Sequence, residues 1–214
     1  MGIPVLILGE SGSGKTASLR NFEAEDVSIF NVAAKPLPFR KKLPVKNTAD
    51  YGVIMGAIKK SAKKTFVIDD SQYLLCFESF AKAKESGYGK YTDMALHFYN
   101  LIQFVINQTP PDVIVYFLHH TETDSNTGKV KAKTMGKMLD NQLTVEGLFS
   151  IVLMAYTDGR KHCFITQSDG FTTCKAPMEL FSSTEIDNDL KAVDTAIREY
   201  YEMNTSTKEN TNDK

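Results

Sequence analysis

The chain has 214 residues, of which 42% are hydrophobic and 24% charged, and its formal net charge is -1. That length and balance suit one soluble globular domain with a full core, and they exclude a fibrous or low-complexity chain. No apolar run is long enough to span a bilayer, and three scattered cysteines argue against a disulfide framework, so the expectation is a cytoplasmic protein with reduced thiols.

Taken in order, Ile3–Leu8 is a continuous apolar run, which predicts a strand buried on both faces. It breaks at once into Gly9-Glu10-Ser11-Gly12-Ser13-Gly14-Lys15-Thr16, and Lys15–Phe22 follows as a short helix. Val27–Val32 reads as a second strand. Ala33–Asn47 carries Pro36, Pro38 and Pro44 and reads as a loop, after which Thr48 is placed to cap a helix over Ala49–Lys60. Thr65–Ile68 is a third strand, ending in Asp69-Asp70. A mixed helical stretch, Ser71–Lys84, leads to the glycine and tyrosine segment Ser86–Tyr91.

Thr92 is expected to cap a long helix that Pro110-Pro111 stops, with Phe98, Leu101, Ile102, Val105 and Ile106 as its apolar stripe. Val113–Leu118 is a fourth buried strand, tipped by His119-His120, and the span Thr121–Lys137 is polar. Ile151–Tyr156 and Lys161–Gln167 read as paired strands around the turn Thr157–Arg160. Ile186–Met203 reads as a closing amphipathic helix, and Asn204–Lys214 as a disordered tail. Strands alternating with helices predict an α/β fold in one domain over residues 1–203, with a mostly parallel sheet flanked by helices. Its ligand edge is where the strands' C-terminal ends meet.

The chemistry concentrates at the first glycine loop. Gly9, Gly12 and Gly14 let the backbone curl so that its N–H groups face an anion, Lys15 supplies a cation for the outer phosphates, and Thr16 offers a hydroxyl to Mg2+. Residues Gly9 to Ala17 (Gly9, Glu10, Ser11, Gly12, Ser13, Gly14, Lys15, Thr16, Ala17) are therefore the predicted ATP contacts, a P-loop, with the following helix adding its dipole. Asp69 is the predicted second metal-side ligand, and Asp70 the group that orients or deprotonates water, with Glu10 its weaker rival. His119 is placed to sense the terminal phosphate. Lys129, Lys131, Lys133 and Lys137 follow it with no acid among them, so an extended ribbon would turn them toward a phosphate backbone; Tyr88, Lys90 and Tyr91 form a second candidate for stacking on unpaired bases. In both places a solvated loop or buried tyrosines remain the plainer alternative.

Set in order, GESGSGKT, the strand Phe66–Asp70, the histidine-tipped strand, Phe164–Gln167 and Cys174–Pro177 resemble the compact RecA-like P-loop ATPases of bacteriophages, in particular the Sak-type single-strand annealing group. The resemblance implies a RecA-like core with a C-terminal β-hairpin and helix, ATP with Mg2+, ssDNA as a partner, homo-oligomers, and a role in recombination, annealing or replication in the host cytoplasm, with a single-strand DNA-binding protein as a further partner. It also implies a basic residue acting on the neighbouring subunit's site, for which Arg160, Lys161 and Lys175 are the candidates. The chain departs from the pattern at Val27–Lys35, which offers no water-activating acid, so either Asp70 takes that role or hydrolysis is slow. Two other readings stand beside this one: a nucleoside or small-molecule kinase, and an ATP-gated scaffold.

Overall fold

Strand β1 (Ile3–Gly9) shows why the sheet is sandwiched: Val5 and Ile7 enter one apolar cluster, Leu6 and Leu8 the other, and each of the four is at most 1% exposed. Burying four such side chains is worth about 1.5–3 kcal/mol apiece, enough to anchor the strand on which the glycine loop rests. The computed structural model describes residues 1–135, 139 and 143–203. The predicted tail at 204–214 lies outside the described residues, as does Lys137.

The other strands are β2 (Val27–Asn31), β3 (Val45–Asn47), β4 (Thr65–Asp69), β5 (Ile114–Thr123), β6 (Val130–Ala132), β7 (Ile151–Thr157), β8 (His162–Ile165) and β9 (Glu185–Asp187). Eight run in the order β3-β2-β4-β5-β1-β7-β8-β9, and β6 pairs with β5 off that path. Pairing is parallel from β3 through β7 and antiparallel at β7-β8, β8-β9 and β5-β6. The protein is thus α/β, with a mostly parallel mixed sheet flanked by helices.

Helices α1 (Tyr51–Lys60), α2 (Gln72–Ala81) and α3 (Gly89–Gln108) cover one face through residues such as Ile54, Leu74 and Phe98. The other face is covered by a 3-10 helix, Thr16–Asn21, and by α4 (Leu190–Tyr200), through Leu19, Val193 and Ile197. Helix α4 is tied to the sheet by Asp194, which is 1% exposed, accepts from Thr65 Oγ1 at 3.1 Å and Tyr116 OH at 3.0 Å, and receives Arg198 Nε at 2.8 Å. Among the described residues, no helix is long and apolar enough to cross a membrane.

Several boundaries differ from the sequence reading, each for a local reason. Asp50, not Thr48, caps α1, its Oδ1 accepting from Val53 N at 2.8 Å. Helix α3 begins at Gly89, ahead of Thr92. Val45–Asn47, read as loop, adds an edge strand to β2. Glu185–Asp187 pairs with β8, so α4 starts only at Leu190, capped by Asp189. The helix after the glycine loop is a six-residue 3-10 turn, too short for a useful dipole.

The parallel pairing aligns the strand tips. Gly9 at the end of β1 sits opposite His120 on β5, and Asn31 at the end of β2 opposite Asp69 at the end of β4. Residues far apart in sequence therefore meet at one edge.

Candidate functional site

At that edge a cavity of about 400 Å³ is lined by the glycine loop, Lys35, Asp69, Asp70, His120 and His162. Its floor is the loop leaving β1. A Cβ on Gly9 would sit 2.4 Å from Ser13 Oγ and 2.9 Å from Ala155 O, so only glycine lets the chain turn there. Gly14 combines a φ of 98° with a Cβ position 2.9 Å from His162 Nδ1. The ring of His162 donates from Nδ1 to Ser13 O at 3.1 Å and braces the loop from β8.

Lys15 folds into the loop it belongs to, its Nζ donating to Gly9 O at 2.7 Å and Glu10 O at 2.8 Å. Burial pulls its ammonium down to about 8, against the opposing pull of Asp70 and Asp69. Thr16 Oγ1 donates to Asp69 Oδ1 at 2.9 Å, joining the loop after β1 to the tip of β4 across the intervening β5. Burial pushes the Asp69 carboxyl up to about 6, and the single hydroxyl donor only partly offsets it. Two further buried polar atoms beside the loop, Ser13 Oγ and Asn188 Nδ2, have no partner. This wall of the cavity is polar and incompletely satisfied.

The facing wall is built on Asp70, whose φ of 59° turns the chain sharply off β4. Aspartate tolerates this left-handed conformation better than most residues, and its carboxylate takes partners different from those of Asp69. Asp70 Oδ2 receives Lys35 Nζ at 2.7 Å, and Oδ1 receives His120 Nε2 at 3.1 Å. Burial alone would raise this carboxyl, but donation from His120 and Lys35 outweighs it and holds the group at about 2. The ring of Tyr73 lies under both partners, 5.1 Å from Lys35 Nζ and 5.6 Å from the His120 ring centroid.

The residues singled out from sequence divide at this point. Glu10, Ser11, Gly12, Ser13, Gly14, Lys15, Thr16, Ala17, Asp69 and Asp70 come together around the cavity. His119 does not join them. It is fully buried, its Nε2 donates to Lys133 O at 2.8 Å, and its Nδ1 lies 2.9 Å from Ser71 Oγ. Because a carbonyl only accepts, Nε2 carries the proton; burial lowers the ring to about 4 and keeps it neutral, so Nδ1 accepts from Ser71. Its neighbour His120 takes the cavity position. Asp70 also departs from the expected base: a carboxylate at about 2 with both oxygens engaged is a poor proton acceptor at neutral pH.

Residues 121–133 form a folded-back ribbon. β5 runs on to Thr123 and folds back as β6, which places Lys129, Lys131 and Lys133 at alternate positions of a ribbon. Lys131 faces Glu122 at 3.5 Å, so its charge is partly neutralised. In the other flexible candidate, Tyr91 packs on the core, Lys90 donates to Glu85 O at 3.0 Å, and Tyr88 alone stands out, 89% exposed. Arg160 and Lys161 sit in the β7-β8 turn next to His162, with Lys161 paired to Glu185 at 2.8 Å. Lys175 bonds Val152 near the start of β7, away from the cavity.

Sequence reading missed Lys35 and His162, and it ranked His120 below His119. A lysine directly before proline in a basic loop was the one available sign for Lys35; the two histidines needed strand parity and a hairpin position that no motif carries. Among the described residues, no three of His, Cys, Asp and Glu converge as a ready metal cage. No model of a known protein family matches this chain, and no curated protein matches it.

Proposed function

We propose that the cavity binds ATP with Mg2+ and that the chain is a RecA-like P-loop ATPase whose nucleotide state governs ssDNA handling. The observation that carries this reading is the Thr16–Asp69 hydrogen bond, which aims a hydroxyl and a carboxylate from two separate strand tips at one point beside Lys15. The donor set fits the metal: Mg2+ is usually held by one or two protein oxygens together with substrate phosphates, not by an all-protein cage. The glycine loop would take the phosphates through its N–H groups, and Lys15 would exchange its two loop carbonyls for phosphate oxygens. The magnesium, when bound, neutralises phosphate charge.

The link to DNA rests on β5. It carries His120 into the cavity, while His119 Nε2 and His120 O both bond the backbone of Lys133 in the ribbon. A change around Asp70 and His120 is thereby passed to the lysine-bearing hairpin through two hydrogen bonds. The engaged state of Asp70 favours slow hydrolysis, with ATP acting mainly as an assembly switch. Together with the motif resemblance, these features support a role in phage-type DNA recombination, annealing or replication in the cytoplasm of a host cell.

Fluorescence anisotropy with a labelled ATP analogue tests the reading. Wild-type protein is expected to bind in a Mg2+-dependent way, and Lys15→Ala to bind about 100-fold more weakly, equivalent to about 2.7 kcal/mol. Binding that survives Lys15→Ala unchanged would sink the assignment.

A further inference from the structure

Lys35 belongs to no motif, yet its presentation at the cavity is built with care. The chain leaving β2 is fixed by Asn31 Nδ2, which donates to Lys35 O at 2.5 Å, by Ala34 at a φ of 54°, and by Pro36, whose ring fixes its own φ. The side chain then crosses to Asp70 Oδ2 at 2.7 Å while remaining 59% exposed, whereas that of Asp70 is only 11% exposed. The carboxylate is thus the back of the clamp and the ammonium its open front. Lys35 and Lys15 line the same cavity from opposite walls.

We infer that Lys35 is a second phosphate-contacting cation, supplied by the same chain, that moves from Asp70 to the terminal phosphate of a bound nucleoside triphosphate. This rests on the nucleotide reading of the cavity and adds to it a group that distinguishes triphosphate from diphosphate. Two features make the exchange inexpensive. Asp70 keeps His120 on its other oxygen, so the carboxylate is not left buried without a donor when the lysine departs. The ammonium is also 59% exposed, so it moves through solvent without breaking a packed contact, and the Tyr73 ring 5.1 Å from its Nζ marks the resting position it leaves.

The test is a titration of labelled ATP and ADP analogues, with Mg2+, against wild type, Lys35→Ala and Lys35→Arg. Lys35→Ala is expected to weaken the triphosphate about tenfold and the diphosphate less than about twofold, and Lys35→Arg to restore most of the preference because it keeps the charge. Parallel losses for both nucleotides, or no loss for either, would overturn the assignment of Lys35 alone. A wild type that binds neither nucleotide would overturn both this inference and the reading beneath it. Matching melting temperatures for the two variants would show that the ratio reports phosphate contact and not the loop's fold.

Discussion

The two walls of the cavity carry consecutive carboxylates in opposite electrostatic states. On the glycine-loop wall, Asp69 is 4% exposed, has one hydroxyl donor, and is pushed up to about 6 by burial. On the clamp wall, Asp70 is 8% exposed, and burial would raise it too, yet donation from His120 and Lys35 brings it to about 2. The lysines mirror this contrast. Lys15 is lowered to about 8 by burial, while its hydrogen bond to Asp70 raises Lys35 above the ordinary lysine value. One wall is desolvated, with a single side-chain donor on its carboxylate; the other is saturated by its own salt bridge.

The largest test of that contrast is a pair of isosteric substitutions. Asp69→Asn removes a charge whose burial is unfavourable, so it is expected to raise unfolding free energy at pH 7 by up to about 3 kcal/mol while weakening Mg2+-dependent nucleotide binding. Asp70→Asn removes a charge held by two donors and is expected to lower stability by about 2 kcal/mol. The pH windows differ in sign as well. The folded Asp69 carboxyl lies above its unfolded value, so its unfavourable contribution develops as pH rises from about 4 to about 6. The folded Asp70 lies below, so its favourable contribution is lost as pH falls from about 4 to about 2. Urea unfolding of both variants in the two windows reads this directly, and shifts of the same sign in both would break the comparison.

A smaller effect separates the two lysines. If Lys15 must be an ammonium to hold phosphate, its lowered value makes nucleotide affinity flat near pH 7 and weaker by about tenfold per unit above pH 8. Lys35, raised by its bond to Asp70, adds no slope in that range. Anisotropy titrations from pH 7 to 9.5 check this, and a flat profile would remove Lys15 from the phosphate.

What was legible in the sequence was local. The apolar run of β1, its break into glycines and the acidic end of β4 are contiguous signals, and they brought Lys15, Thr16 and Asp69 together without any knowledge of the sheet. What was not legible depended on parity and on distant partners. In β5, residues two apart share a face, so His119 follows Phe117 into the helix-covered core, where it meets the Phe98 ring at 5.7 Å, and His120 is left at the cavity. That choice needed the strand to continue to Thr123, which a polar sequence did not suggest. Lys35 needed the Asp70 turn, and the edge strand Val45–Asn47 has three exposed residues, which give no apolar pattern to read.

The ribbon carries the smallest expected effect and the finest discrimination. Each lysine that neutralises a phosphate of single-stranded DNA steepens the dependence of log affinity on log salt by about 0.7. Lys129 and Lys133 are exposed, whereas Lys131 is half-buried and faces Glu122 at 3.5 Å. Lys129→Ala and Lys133→Ala are therefore each expected to flatten the salt slope for a short oligonucleotide by about that amount, and Lys131→Ala by less, because a cation already paired with a carboxylate releases fewer counterions on binding. Equal slopes for all three variants would mean that the Glu122 pair opens on DNA. An unchanged slope for the exposed pair would leave the ribbon as a brace for His119 and His120, and the DNA contact would have to be sought elsewhere on the same edge.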